Sequence, residues 1–542
     1  MHMALPSNFF STQSVLLVDD IDTIRSAVKG MLQMLGCQDI ALANTGERAL
    51  ELCEVKQYDF ILCDFNLGKG KDGYQLFEEL KLRALLKINA VFILISAETA
   101  VQIVHGIVEL QPDDYLLKPF SYKKLESRLI RALEKRKVLG SIYDALAIKD
   151  YKKALIECVK YLKKNTQYTL SIMRLQGEVL LKLQQYDSAL SLYDSILNKR
   201  DLSWAKLGKA IVYYHKKDYS SASVLLNELV ELRETRIEAL NWLASIYAQR
   251  DCLEQAKDIL IESVKLSPKN IPRQRALANL SVLDSDWALA LHCFKIVLNN
   301  TRFSVHENID HHFNYIHCLI DKAKTETELQ QAKVFSQVQA VLKNASLRFD
   351  KIVFTELEKI VFARLSGLKN LLSDAIKNLN LCDQEIVLQT GKDSTIHLAN
   401  TWFELGHYER YLQLIALLPK QEVNDSIESM SDILRTNKIS GENRAKIKKL
   451  QELNQQGLIL YKSGLYPASS TLFLEAFNLI PNNLPMSLNL AQSINKGWPS
   501  NEAFSMKKRV IKHCINIIES QKLDEKSQAR YESFEAELKK EI

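Results

Sequence analysis

Four short apolar runs in the first 120 residues each end in a polar or charged side chain. They are Val15-Leu16-Leu17-Val18 before Asp19-Asp20, Phe60-Ile61-Leu62-Cys63 before Asp64, Val91 to Ile95 before Ser96, and Tyr115-Leu116-Leu117 before Lys118-Pro119. Runs of this length without polar alternation predict strands buried on both faces, as in a parallel sheet. Beyond residue 122 the strand pattern fades and helical periodicity replaces it.

The helical part also carries a longer period. Ala154, Ala189, Ala222, Ala256 and Ala290 are separated by 35, 33, 34 and 34 residues. Three residues before each alanine stands Tyr151, Tyr186, Tyr219, Leu253 or Trp287, and four after it Cys158, Tyr193, Leu226, Leu260 or Phe294. Twelve before it are the small residues Gly177, Ala210, Ala244 and Ala278, with Ile142 in the first copy. Antiparallel helices approach closely only where side chains are small, and a bulky residue there costs roughly 1–3 kcal/mol. Later, Gly457, Tyr466, Ser469, Phe473, Ala476 and Pro481 keep the same offsets. Ala399, Tyr408 and Ile415 do so too, with Tyr411 at the crossing position. The rest of 301–440 reads as irregular helix pairs. The polar stretch 420–446 is expected as a flexible connection or lid, and the charged stretch 519–542 as a solvated helix.

The two patterns meet without slack. Leu125, Leu129, Leu133 and Leu139 fall near one face, and Gly140 is the only glycine or proline between Lys123 and Ala147. A continuous helix is semi-rigid, unlike a Gly/Ser tether, so the last helix of the strand-bearing part is expected to run into the first repeat helix.

Composition narrows the function. A chain of 542 residues favours three or four domains, and 47% hydrophobic with 25% charged residues is ordinary for a globular protein. A net charge of +6 is too mild for a nucleic-acid footprint. Nine cysteines without CxxC pairs suggest reduced thiols. No run approaches eighteen apolar residues, and Met1 to Gln13 lacks a signal-peptide pattern, so a cytoplasmic protein without membrane insertion is expected. His306, Asp310, His311, His312 and His317 share no single helix face and read as surface or internally satisfied groups rather than metal ligands.

The candidate chemistry sits at the strand ends. Ligands of open parallel sheets gather beyond the carboxyl edge, where these runs deliver Asp19, Asp20, Asp64, Ser96 and Lys118. Clustered carboxylates repel one another unless compensated, and Mg²⁺ (or Mn²⁺) is the hard, oxygen-seeking cation that compensates them. Asp64 would act as nucleophile toward a phosphoryl group, with Lys118 and the Ser96 hydroxyl meeting the phosphoryl oxygens.

With these residues in this order, 14–136 resembles the receiver domain of two-component response regulators. That resemblance implies a flavodoxin-like, doubly wound α/β fold with Asp64 as phosphoacceptor and Asp19, Asp20, Asp64 and the Asn66 backbone carbonyl around the metal. It further implies Ser96 and Tyr115 as switch residues, Asp72-Gly73 opening the third helix, and a sensor histidine kinase or phosphotransfer protein as donor. Two features depart from the family: the loop from Asp64 to Asp72 is one residue longer than the commonest form with Gly68 in place of a usual proline, and Ser96 replaces the more frequent threonine. Residues 137–300 similarly resemble five tetratricopeptide repeats, followed by irregular helices at 301–446 and a degenerate repeat with further helices at 447–542. The tetratricopeptide resemblance implies an all-α solenoid whose concave groove binds a protein or peptide, with Arg174, Glu178, Asn241, Arg275 and Asn279 facing it.

The reading is therefore a response regulator with protein-binding output, not a metabolic enzyme, possible as a homodimer. Phosphorylation is expected to reposition Ser96 and Tyr115 and shift the surface of the fourth helix, fifth strand and fifth helix. A DNA-binding regulator with a hidden helix pair and a phosphorylation-independent scaffold are the competing readings. No phosphate loop or catalytic dyad beyond 136 supports a fused enzyme.

Overall fold

The computed structural model describes residues 9–87, 90–97, 113–164, 167–418, 426–499 and 504–541. The expected fourth helix of the strand-bearing part falls on residues 98–112, and the start of the polar stretch on 419–425. Both lie outside the described residues. The chain divides into two units, one of Met1–Leu277, Ile296–Glu307 and Ser426–Glu428, the other of Ala278–Lys295, Asn308–Asp425 and Ser429–Ile542.

The first unit begins with five parallel strands, β1 (Ser14–Val18), β2 (Asp39–Ala43), β3 (Phe60–Asp64), β4 (Val91–Ser96) and β5 (Asp114–Leu117), in the order β2-β1-β3-β4-β5. The four apolar runs are β1, β3, β4 and β5. β2 escaped the sequence pattern because it is an edge strand that is mostly half-buried or exposed, with no continuous apolar run. Helices α1 (Asp22–Met34), α2 (Gly46–Val55) and α3 (Gly73–Leu82) lie among the strands in sequence. Side chains alternate across a strand, so β1 sends Val15 and Leu17 to the face covered by Val28 and Leu32 of α1 and by Leu125 and Leu129. Leu16 and Val18 go to the face covered by Ala49 and Cys53 of α2 and by Leu76, Phe77 and Leu80 of α3.

The junction is one helix of 26 residues, Tyr122–Ala147, started by the Ser121 hydroxyl, which accepts from the Lys124 amide at 3.4 Å. Its first half joins the sheet core through Leu125 and Leu129. Its second half packs Leu139 and Ile142 with Cys158 and Ile172 of the next helices. No tether separates the two structures.

Paired helices follow from Tyr151 onward, and all five periodic alanines are fully buried. A second periodic feature lies in the backbone. Lys149, Gln184, Lys217, Asp251 and Ser285 have φ between 56° and 63°, each five residues before one of those alanines. The helix therefore stops, takes one left-handed residue, and restarts. The small residues at Gly177 and Gly208 serve a purpose beyond close helix approach. A Cβ on Gly177 would lie 2.5 Å from the Tyr193 hydroxyl, and one on Gly208 would lie 2.2 Å from the Tyr193 ring. The buried Tyr193 is thus wedged between two helices.

In the second unit the same turn recurs at Asn370 (φ 59°), Gly406 (φ 85°) and Gly464 (φ 79°), five residues before Ala375, Tyr411 and Ser469. The copy around Ala375 has Ala363, Leu372 and Leu379 at the expected offsets, all buried. It lies inside the stretch expected to be irregular. Two other expectations change here. Residues 427–446 are not a loose connection but the first half of a 36-residue helix, Ile427–Lys462. The charged C-terminal stretch is not a freely solvated helix: Glu525–Lys539 buries Tyr531, Phe534 and Leu538, one stripe at helical spacing.

Candidate functional site

The strand register brings the predicted groups to one edge. Asp19 follows β1, Asp64 ends β3 opposite Ile95 of β4, Ser96 ends β4 opposite Leu117, and Lys118 follows β5. The Lys118 ammonium lies 2.7 Å from Asp19 Oδ2 and 3.2 Å from Asp64 Oδ1. The Phe65 amide donates to Asp64 Oδ1 at 3.0 Å, and the Ile21 amide to Asp19 Oδ1 at 2.9 Å. Arg25 donates to the Asp19 backbone carbonyl.

Asp19 and Asp64 are buried, Asp20 is exposed, and one oxygen from each lies within 4.8 Å of the others. Among the described residues this is the only such cluster of metal-ligating side chains. One lysine for three acids leaves net negative charge at short range, a donor set that fits a hard divalent cation. The Asp64 carboxyl is pushed up to about 6 chiefly by burial, with Asp19 adding to the rise and Lys118 opposing it.

The loop after β3 is tightly built. Asp72 caps α3 by accepting from the Gln75 amide at 2.9 Å, and the Gln75 side chain returns to the Asp72 amide. Gly73 is needed for close approach, because a Cβ there would lie 2.2 Å from the Asp64 carbonyl. Gly68 has φ +73° and sits against the Asp20 carboxylate. Its amide donates to Asn66 Oδ1 at 3.3 Å. Ser96 is buried at the β4 end, and Tyr115 is half-buried against the core on the α2/α3 side of the sheet.

Each of the five residues expected to face the groove has a side-chain partner. Arg174 and Glu178 pair with each other at 3.1 Å on the exposed surface. Asn241 accepts from the Ser263 hydroxyl at 3.0 Å. Arg275 is bound to Glu428 at 2.7 Å. Asn279 is buried, donating to the Ser431 hydroxyl at 3.2 Å and to the Asp432 carboxylate, and accepting from Arg435 at 3.0 Å. The long helix from Ile427 thus engages two of the five, which leaves those two closed to a foreign peptide. Its polar sequence hid this, since its contacts there are polar.

Among the histidines, His306 pairs with Glu78 at 2.7 Å. His317 is buried, stacked 3.8 Å from His397 and 3.0 Å from Arg364. Sequence reading missed the buried Arg364, which also binds Asp321 at 2.5 Å and Glu404 at 2.7 Å. These residues are spread over nearly a hundred positions with no local motif.

Comparison with known proteins agrees with the sheet edge. Residues 15–130 match the family model described as response regulator receiver domain. The probable transcriptional regulator ycf27 of Cyanidium caldarium is 32% identical over 133 residues, 24% of this chain and 51% of that protein. Chemotaxis protein CheY-3 of Vibrio cholerae serotype O1 is 29% identical over 121 residues, 22% of this chain and 92% of that protein. Among solved structures, chemotaxis response regulator CheY4 of Vibrio cholerae is 26% identical, covers 22% of this chain and 98% of that one, and gives a TM-score of 0.21. The chain spans about half the length of the ycf27 proteins it matches. The N-terminal part of this chain is a two-component receiver domain, and a large all-helical region follows it.

Proposed function

We propose that the chain is a phosphorelay response regulator, phosphorylated on Asp64 by a histidine kinase or phosphotransfer protein and acting through protein binding by its helical repeats. The observation that carries this reading is Asp64 itself, held at a sheet edge 3.2 Å from Lys118 and within 4.8 Å of two further carboxylates. Asp19, Asp20, Asp64 and the Asn66 backbone carbonyl would hold Mg²⁺ or Mn²⁺. When bound, the cation neutralises charge between the acids and an incoming phosphoryl group.

The chain's own residues do the rest. The Asp64 carboxylate attacks phosphorus and the donor's nitrogen or oxygen leaves, giving an acyl phosphate. Lys118 exchanges its contact with Asp64 for the new phosphoryl oxygens, and the Ser96 hydroxyl donates to one of them. Tyr115 on the neighbouring strand follows that movement. This is signalling chemistry, with the receiver as both substrate and catalyst.

For output, the buried alanines and the left-handed turns recurring every 33 to 35 residues support a tetratricopeptide-type array. Its open part is the face around Arg174 and Glu178. Affinity capture from the source cells, with wild type and Asp64→Ala each treated with a phosphodonor and Mg²⁺, tests the reading. It predicts partners whose retention depends on Asp64; identical partner sets at equal yield would contradict phosphorylation-controlled output.

A further inference from the structure

The long loop after Asp64 has a second contact surface. Lys71 is buried, its ammonium paired with Glu79 of α3 and donating to the Phe303 carbonyl at 2.5 Å. The Gln75 side-chain amide donates to the carbonyls of Asn300 at 3.1 Å and Arg302 at 3.2 Å. His306 Nε2 lies 2.7 Å from Glu78, and Lys269 lies 5.5 Å over the Phe65 ring and 3.7 Å from Asp72. The helix Trp287–Thr301 ends here, and Phe303 just beyond it has φ +67°.

The last carbonyls of a helix have no partner within the helix, and a cation near them is favoured by the helix dipole. This helix end takes donors from Lys71 of the receiver loop and from Gln75 in the first turn of α3, more than 220 residues away in sequence. The extra loop length thereby acquires a physical reason, since it places Lys71 at the helix end. At its other end the same loop carries Asn66 and Gly68, the latter against Asp20 of the acid pocket. A cavity of about 570 Å³ separates Phe65, Asn66, Gly68 and Tyr74 from Pro268 and Arg302, leaving the loop room to move.

We propose that the β3–α3 loop together with the first two turns of α3 is an intramolecular latch, holding the 300–306 segment through Lys71 of the loop and Gln75 and Glu78 of the helix and releasing it when the acid pocket takes up metal and a phosphoryl group. Drawing the Asn66 carbonyl and Asp20 toward a cation pulls the loop away from Phe303. The helix end then loses its borrowed donors. This route is separate from the Ser96–Tyr115 movement and from the Tyr122–Ala147 helix. It rests on the proposed function, because it takes the phosphorylated pocket as its trigger.

Hydrogen exchange on the full chain, with and without Mg²⁺ and beryllofluoride, tests it, with a parallel melting scan to read binding. The expected result is a raised melting temperature together with roughly fivefold faster amide exchange in 300–307, about what losing one hydrogen bond gives. Gln75→Ala is expected to speed exchange there without ligand and to shrink the further change on adding it. A melting shift with unchanged or slower exchange in 300–307 would overturn the latch and leave the proposed function standing. Absence of any melting shift would overturn the proposed function, and the latch's trigger with it. Unchanged exchange in Gln75→Ala would show that the side chain does not hold the segment, and would also overturn the latch.

Discussion

Asp64 is strained by its own charge. Folding moves its carboxyl from an ordinary 3.8 up to about 6, chiefly through burial. A raised carboxyl pKa means that folding favours the neutral acid. The penalty for the charged form is present in full above pH 6 and is relieved as pH falls from there toward 3.8. Asp64→Asn should therefore raise the melting temperature of the metal-free chain at pH 7.5, by roughly 2–4 °C, and the gain should shrink at pH 5. A lower melting temperature at pH 7.5 would mean that the Lys118 contact outweighs burial. The same charge makes metal binding proton-linked, so Mg²⁺ should bind more weakly at pH 5 than at pH 7 in a fluorescence or calorimetric titration. Residue identity and order were enough to nominate Asp19, Asp20, Asp64, Ser96 and Lys118. The distances among them were not legible, because they depend on β1 pairing with β3 across β2 and its helix.

At the scale of single elements, the helix hairpins show how a sequence period becomes geometry. The alanine period was visible from Ala154 to Ala290 and then lost. The next matching hairpin, at Ala375, lies 85 residues further on, which is no multiple of 34. The longer pair Ile309–Ala323 and Glu328–Ser346 intervenes and shifts the phase. The left-handed turn five residues ahead recovers the register where side chains do not. A non-glycine residue there costs about 1–2 kcal/mol, and glycine loses roughly half of that advantage to entropy. Gln184→Gly should accordingly stabilise the chain by about 0.5–1 kcal/mol in a denaturant titration, with no effect expected from the same change at exposed mid-helix positions other than loss. Gly208→Ala should destabilise by roughly 1–3 kcal/mol through the clash with Tyr193, and Tyr193→Leu in the same chain should return most of that. No recovery would mean that the ring is not the obstacle.

At the scale of the whole molecule, two of the buried charge clusters among the described residues are balanced differently. In the receiver, Lys118 alone faces the three clustered acids, a donor set that fits a hard divalent cation. In the second unit, Arg364 is matched by Asp321 and Glu404, and His317 stacks on His397. Burial holds His317 well below the usual histidine range and His397 down to about 3, with nearby arginines adding to the effect. Unfolded histidine takes up protons below 6.5 while these two stay neutral, so stability is present above 6.5 and is lost as pH falls below it. The melting temperature of the second unit should drop by roughly 4 °C or more between pH 7 and pH 5, and His397→Gln should flatten that slope. Removing the central charge by Arg364→Met should cost roughly 1–3 kcal/mol, moderated because Lys324 still pairs with Asp321 at 2.8 Å and with Glu404 at 2.7 Å. None of this network announced itself in the sequence, because its members come from three distant helices and share no spacing. Arg275 and Asn279, expected to face a groove, instead meet the polar helix from Ile427, which nothing local in the sequence marks as their partner.

The central claim is that this chain receives its signal as a phosphoryl group on one carboxylate. The most direct measurement is to treat the full chain with a small-molecule phosphodonor and Mg²⁺, trap the acyl phosphate by borohydride reduction, and locate the reduced residue by peptide mass spectrometry. Reduction at Asp64, dependent on both the donor and the cation and absent in Asp64→Ala, is the predicted result. Reduction at another carboxylate, or none at Asp64 with donor and cation both present, would contradict the account.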